Sequence, residues 1–464
     1  MPRNPHVGIL PLYLELYDRS LPTLRAEQQP FLAQAVQGLE QQGLQVSVAP
    51  VACVREEFAA SLRHLEECDI DLLVTLHLAY SPSLESVGCL VASTLPILML
   101  DVTPDEDFGL DVDPLRLLYN HGIHGLQDLA SMLKRHGRDY QVAAGHVGDE
   151  SVMKRCADIA RGAQAAREWK NQRILRIGEV FHGMGDFQAE ETLLASRFGI
   201  TVQQIKPLEL KESILSVSPG SIEEEILLDR QRYQIDLDPA VHDRSVRLGL
   251  GLRDYLDQGG FTAFSMNFNA FDSPDEPIET VPFLECCKAM ERGVGYAGEG
   301  DVLTAGLVGA LERGFGRTTF TEIFCPDWKG NRLFLSHMGE VNPEVAAGKP
   351  RLYEKEFPFT PAKNPATLAC AFQPGAATLV NLAPDAGNQF NLLYSLVTID
   401  PDGTHPHLKD WIRAWIRPSG DVRRFLESYS QLGGTHHLAL VPGDWRTSLG
   451  AFARILGFKP CEIG

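Results

Sequence analysis

The sequence predicts an α/β protein: two Rossmann-like α/β domains with parallel sheets, followed by a C-terminal, mostly antiparallel β-barrel domain. Before residue 317, short apolar runs alternate with segments of helical period, which is typical of parallel sheets covered on both faces. From Thr318 onward, short strand-like runs are separated by turn signals instead. The length of 464 residues is enough for about three domains.

The first domain is expected to cover residues 1–168. Its strands are four short apolar runs, at residues 7–10, 46–48, 72–76 and 97–100. A loop is predicted over residues 14–18, and a helix from Phe31 to Leu39 that stops at Gly43. A Gly-x-Gly-x-x-Gly fingerprint is missing after the first strand, so the outline does not indicate a dinucleotide.

The second domain is expected to cover residues 169–316 and to carry Glu299. Its strands are predicted at residues 174–177, 201–205 and 261–265, with a long helix from Pro239 to Leu256. Asn267 and Phe268 follow the last of these strands. Ligands bind at strand ends in open α/β sheets, so both residues are candidate pocket walls, although an ordinary strand end fits them too.

The third domain is expected to cover residues 317–464 and to carry Glu322, His337 and His437. Five strand-like runs predict an antiparallel sheet or barrel, at residues 319–324, 333–337, 367–372, 377–382 and 391–399. Two helices, at about 420–431 and 445–456, flank His436 and His437.

Composition excludes several classes of function. The net charge of −19 argues against nucleic-acid or anionic-membrane partners, since both need a basic patch. The apolar runs are far shorter than the roughly 18 residues of a membrane span, and no signal-peptide pattern is seen at the N-terminus. The nine cysteines form no Cys-x-x-Cys pair. We therefore expect free thiols in a reducing cytoplasm.

Four polar residues are candidates for a functional site. Glu299 lies between two glycines, which allow a sharp bend close to a ligand. Glu322 interrupts an apolar run, and His337 and His437 stand at the ends of two others. Two carboxylates and two imidazoles fit an octahedral divalent cation with positions left open for a substrate. Mn²⁺ suits this mixture better than Ca²⁺ does.

Each residue alone also fits an ordinary structural role. Glu299 could face solvent on its loop, Glu322 could point outward from an edge strand, and His337 could be a satisfied core histidine. Successive strand residues point to opposite faces, so at most one of His436 and His437 should reach a metal. By the same alternation, Glu340 should face away from His337.

Taken together and in this order, the motifs resemble the L-arabinose isomerase family, within the wider L-fucose/L-arabinose isomerase-like group. The resemblance is strongest from about Phe261 onward. It is carried by four sequence motifs: GYAGEGD at 295–301, FTEIF at 320–324, LSHMGEVNP at 335–343 and GGTHH at 433–437.

The resemblance implies a manganese-dependent ketol isomerase that acts on an aldose through an enediolate. Glu299, Glu322, His337 and His437 would bind the metal, and the two glutamates would also carry the proton. It further implies a homotrimer or hexamer in which His124, within a His-Gly before a helix, reaches the site of a neighbouring subunit. A surface loop that caps the helix is the other interpretation of His124.

The sugar-binding half resembles the family less well. The segment after the first strand reads Leu-Tyr-Leu-Glu-Leu-Tyr up to Tyr17, and a second divergent loop contains Met184. Both residues are candidate sugar contacts. A sugar epimerase using the same metal, and a non-catalytic sugar-binding protein of the same fold, remain the alternatives.

Overall fold

A computed structural model describes residues 2–403 and 407–464. Contacts between residues divide the chain into two compact units. The N-terminal unit contains Arg3–Arg167 and Thr447–Gly457, and the C-terminal unit contains Glu168–Arg446 and Phe458–Gly464. Every helix in the described ranges is too short or too polar to cross a lipid bilayer.

The N-terminal unit is built on a five-stranded, wholly parallel sheet in the order β2-β1-β3-β4-β5. The strands are β1 (His6–Leu12), β2 (Gln45–Val48), β3 (Leu72–His77), β4 (Ile97–Thr103) and β5 (Gln141–His146). The four predicted strands are confirmed. The sequence did not reveal β5, because this half-exposed edge strand lacks a continuous apolar run.

Helices cover both faces of this sheet. They are α1 (Glu15–Ser20), α2 (Leu24–Glu27), α3 (Gln29–Gln41), α4 (Arg55–Glu67), α5 (Ser83–Ala92), α6 (Leu117–Asn120), α7 (Gly122–Arg135) and α8 (Glu150–Trp169). Successive residues of β3 enter two different apolar clusters, with Val74 in one and Leu73 in the other. The loop predicted over residues 14–18 is wrong, because α1 begins at Glu15, whose carboxylate pairs with Arg19 one turn later.

The C-terminal unit begins with a second parallel sheet in the order β10-β9-β6-β7. The helices and strands from residue 173 to residue 315 are β6 (Arg173–Ile177), α9 (Glu191–Phe198), β7 (Thr201–Ile205), α10 (Lys211–Ser216), α11 (Pro219–Arg232), β8 (Gln234–Asp236), α12 (Pro239–Gly259), β9 (Ala263–Met266), α13 (Phe283–Glu291), β10 (Gly295–Gly298) and α14 (Val302–Phe315).

A mostly antiparallel sheet follows. The remaining elements are β11 (Thr319–Asp327), β12 (Arg332–Ser336), β13 (Arg351–Glu354), β14 (Ala366–Ala369), β15 (Gly375–Asp385), β16 (Gln389–Ile399), β17 (Ala414–Pro418), α15 (Val422–Gln431), β18 (His437–Pro442), α16 (Arg446–Leu456) and β19 (Lys459–Glu462). The strand order is β15-β18-β11-β12-β17-β16-β19, and β15 also pairs with β16. Six strands of this sheet therefore pair in a closed ring, and within this sheet only the described β16–β19 pairing is parallel.

Candidate metal centre

Glu299 follows β10, at the carboxyl end of the parallel sheet of the C-terminal unit. Its φ of 63° is left-handed, which is uncommon for a residue with a side chain and is often found at functional sites. A Cβ on the next residue, Gly300, would lie 2.7 Å from the Cα of Val180, so only glycine fits there. The amide of Phe181 also donates to the carbonyl of Glu299, at 2.9 Å. The bend is therefore held by the loop that passes over it.

Glu322 and His437 are register partners on the neighbouring strands β11 and β18. The Nε2 of His437 lies 3.0 Å from Oε1 of Glu322 and 3.3 Å from Oε2 of Glu299. The imidazole is fully buried, whereas the side chains of Glu322 and Glu299 are 15% and 14% exposed. Two carboxylates thus face one imidazole nitrogen from a position that solvent or a substrate can still reach.

Asp301 fixes the direction of the His437 ring. Its Oδ2 accepts a hydrogen bond from Nδ1 of His437 at 2.9 Å, and its Oδ1 caps α14 by accepting from the amide of Thr304 at 2.8 Å. Because a carboxylate only accepts, Nδ1 carries the proton and the opposite nitrogen, Nε2, faces the two glutamates. Asp301 was not among the residues predicted from the sequence, although an Asp just before an apolar helical run is an N-cap signal.

Aromatic rings hold the same imidazole in place. Phe187 stacks on His437 with ring centroids 4.9 Å apart and planes 6° apart, and Phe320 meets it edge-on at 4.9 Å. Phe320 also contacts the ring of His337, at 4.6 Å. Packing on both sides leaves the histidine little rotational freedom.

His436 also points to the carboxylates. Its Nε2 lies 3.6 Å from Oε2 of Glu299 and 3.9 Å from Oε1 of Glu322. The expectation that only one of the two adjacent histidines reaches this place is wrong. His436 lies in a bend, and β18 begins one residue later, so the alternation of strand residues does not apply to the pair.

His337 approaches the cluster from the end of β12. Its Nε2 is 3.4 Å from Oε1 of Glu322, and its Nδ1 is 2.6 Å from Oε2 of Glu340. Tyr296 donates to the other oxygen of Glu340, at 2.8 Å. The expectation that Glu340 faces away from His337 is wrong, because the chain has left β12 at Ser336 and strand alternation has ended.

The charges of these side chains depend on one another. Burial favours the neutral form of Glu299, but the nearby imidazoles of His436 and His437 outweigh it and lower its pKa to about 2. Burial is likewise outweighed at Glu322, whose pKa His337 and His437 hold far below its usual range. Burial alone would lower the pKa of His337, yet Glu340 and Glu322 raise it to about 10. Both site carboxylates are therefore ionised at neutral pH.

The donor set fits a divalent cation. One ligand atom each from Glu299, Glu322, His436 and His437 lies within 4.8 Å of all the others. Two of the buried atoms, Oε2 of Glu299 and Nε2 of His437, have no hydrogen-bond partner, and such atoms are costly unless something binds them. Carboxylate oxygen and imidazole nitrogen are both ligands that divalent metal ions take in proteins. His337 is not part of this set of four, although it contacts Glu322.

The other predicted residues of the C-terminal unit lie around the same sheet edge. Asn267 and Glu299 each directly follow one of the paired residues Met266 and Gly298, so they occupy neighbouring strand ends. Asn267 lines a cavity of about 710 Å³. Phe268 packs against other aromatic rings, and Met184 lies half-buried in the loop after β6.

Two predicted sugar contacts belong to the N-terminal unit. Tyr17 lies on α1, and its hydroxyl group is 2.9 Å from Nε2 of His121. His124 is exposed and lies in the first turn of α7, which starts at Gly122. The expectation that it precedes the helix is therefore wrong.

Fold and centre together define an α/β protein with a candidate divalent-cation site made of carboxylates and imidazoles. Two family models match the chain: the L-arabinose isomerase central domain over residues 171–313 and the L-arabinose isomerase C-terminal domain over residues 317–459. Together they cover more than half of it. The chain belongs to the L-arabinose isomerase family.

Relatives that match over most of their length are also L-arabinose isomerases. The L-arabinose isomerase of Anoxybacillus flavithermus is 29% identical over 412 residues, covering 85% of this chain and 80% of the relative. That of Nocardioides sp. is 28% identical over 399 residues, covering 82% and 77%. That of Aeromonas hydrophila is 28% identical over 444 residues, covering 90% and 87%.

Proposed function

We propose that this chain is a divalent-metal-dependent aldose–ketose isomerase, which moves a proton between adjacent carbons of an open-chain sugar through an enediolate. Membership of the L-arabinose isomerase family supports the isomerase class. The observation that supports the metal dependence is a pair of buried atoms, Nε2 of His437 and Oε2 of Glu299. They lie 3.3 Å apart, and neither has a hydrogen bond.

Glu299, Glu322 and His437 would hold the cation, which we expect to be Mn²⁺. His337 completes the set expected from the sequence, and its Nε2 is close to Glu322. When bound, such a cation stabilises the negative charge that develops on the oxygens of the sugar. Asp301 keeps the unprotonated nitrogen of His437 directed at this place, since its carboxylate accepts a hydrogen bond from the Nδ1–H of that ring.

The two glutamates would also carry the proton. Removing a proton next to a carbonyl needs an ionised carboxylate within reach of the carbon, and the low pKa values of Glu299 and Glu322 keep both ionised. Each side chain is partly exposed, so a sugar can approach it. Asn267, Phe268 and Met184 are the proposed sugar contacts of the same unit.

The complete enzyme is proposed to be a cytoplasmic homotrimer or hexamer in which His124 serves the site of another copy, and Tyr17 is a proposed sugar contact. Support comes from a run of exposed apolar side chains just before His124: Phe108, Leu110, Leu115, Leu117 and Ile123. Grouped exposed apolar residues mark interaction surfaces. The nine cysteines are all free, which fits a reducing compartment.

A panel of aldoses and ketoses, assayed with Mn²⁺ and with a chelator, tests the proposal. We expect one or more aldose–ketose pairs to interconvert with Mn²⁺ and not with the chelator. NMR in deuterated water separates an isomerase, which forms a ketose, from an epimerase, which inverts a carbon. Full activity in the chelator, or no turnover of any sugar with Mn²⁺, would contradict the proposal.

A further inference from the structure

The loop between β6 and α9 contacts three of the four residues that could share an ion. The amide of Phe181 binds the carbonyl of Glu299, Phe187 stacks on His437, and Asp186 binds His436. Asp186 was not among the site residues predicted from the sequence, and it lies 250 residues before His436. Each of these contacts restricts one group of the centre.

Asp186 forms two hydrogen bonds with His436. One oxygen, Oδ2, accepts from the backbone amide of His436 at 3.0 Å and from its Nδ1 at 2.6 Å. The first bond fixes the main chain just before β18, and the second fixes the rotation of the ring. A loop could be anchored by the backbone bond alone, so the ring contact needs a further reason.

That reason lies on the other side of the ring. With Nδ1 donating to a carboxylate, the lone pair of neutral His436 is on Nε2. This nitrogen faces Oε2 of Glu299 at 3.6 Å and Oε1 of Glu322 at 3.9 Å. A lone pair and two carboxylate oxygens repel one another unless a cation or a proton lies among them.

We infer that Asp186 is a positioning residue of the metal centre, which holds Nε2 of His436 toward the ion shared by Glu299 and Glu322. The inference rests on the proposed function in taking the ligand to be a divalent cation. The arrangement repeats that of Asp301 and His437, in which a carboxylate on one ring nitrogen directs the other nitrogen inward. Carboxylate partners of this kind typically change metal affinity 10–100-fold when they are removed.

The test compares the wild type with Asp186→Ala and Asp186→Asn. Asn is nearly isosteric and keeps one acceptor oxygen, so it separates loss of the carboxylate from collapse of the loop. Asp327→Ala is the matched control, because Asp327, at the end of β11, also bonds a backbone amide and a side chain and is similarly exposed. Melting temperatures verify that all variants fold.

Two measurements decide the outcome. Metal-free crystals should show the His436 ring of Asp186→Ala turned away from Glu299, and electron paramagnetic resonance of free Mn²⁺ should show affinity roughly 10–100-fold below that of the wild type. We expect a smaller loss for Asp186→Asn and none for Asp327→Ala. An unmoved ring in Asp186→Ala, or a wild-type Mn²⁺ affinity in that variant, would overturn the inference.

The same data separate this inference from the proposed function. A wild-type protein that binds no Mn²⁺ would contradict the metal dependence itself. In that case, the ring position in the metal-free crystals still decides whether Asp186 positions His436.

Discussion

Asp301 and His437 form a fully buried pair in which Oδ2 of the aspartate lies 2.9 Å from Nδ1 of the histidine. One carboxylate therefore caps the helix that follows the glycine bend and sets the tautomer of a histidine 136 residues away. This pair links the parallel sheet, which carries Glu299, to β18 of the antiparallel sheet. The geometry of the centre depends on that link.

Replacing Asp301 with Asn should weaken metal binding. The amide can still cap Thr304 through its oxygen, but its NH₂ group would then face the N–H at Nδ1 of His437. The ring is expected to take the other tautomer and direct an N–H toward Glu322. We expect Mn²⁺ affinity to fall by about 10–100-fold, measured by titration calorimetry. Unchanged affinity would show that Asp301 serves only as a helix cap.

Glu299→Gln and Glu322→Gln should each abolish turnover and leave the fold intact. A glutamine cannot accept the proton, and general base catalysis contributes about 10²–10⁴-fold to a rate. The measurement is kcat on the best sugar of the panel, with the melting temperature as a check on folding. Glu356→Gln, at an exposed position, is the control. Full activity in both site variants would rule out their roles.

Glu312, on α14, should make stability depend on pH. Burial raises its pKa from 4.5 to about 7, although the amide of Thr318 acts against the rise. A raised carboxyl pKa means that the folded state prefers the protonated form. The stability from this preference is therefore complete below about pH 4.5 and is lost as the pH rises to about 7.

The variant Glu312→Gln tests this pH dependence. A shift of one pKa unit corresponds to about 1.4 kcal/mol, so the variant should gain roughly 3 kcal/mol relative to the wild type between pH 4.5 and 7.5. Melting temperatures of both proteins across this range provide the measurement. A constant difference between the two curves would contradict the assignment.

Leu110→Asp should disrupt self-association. Leu110 is fully exposed within the apolar run before His124, and a charge placed in a buried interface is costly. Analytical ultracentrifugation should show a smaller assembly than the trimer or hexamer proposed for the wild type. Leu208→Asp changes an exposed leucine of the C-terminal unit and should leave the assembly unchanged. A monomeric wild type would refute the proposed oligomer.

Local sequence patterns predicted the elements and the acid–imidazole residues, because strands, helix stops and glycine bends are encoded by neighbouring residues. Glu322 and His437 stand at strand positions that the apolar runs mark, and the structure brings them within 3.0 Å. The resemblance to the family came from the order of these motifs along the chain.

Orientation could not be predicted in the same way. Asp186 meets His436 across 250 residues, and no local pattern encodes such a contact. The alternation rule failed for His436 and Glu340, because it holds only inside a strand and both residues lie outside one. Only Asp301 had a local signal, as the cap of α14.

Anomalous diffraction at the manganese absorption edge, from crystals grown with Mn²⁺, would show whether the four side chains bind one ion. We expect one strong peak in contact with Glu299, Glu322 and His437, with His436 directed at the same ion. Clear anomalous peaks elsewhere and none among these side chains would contradict it.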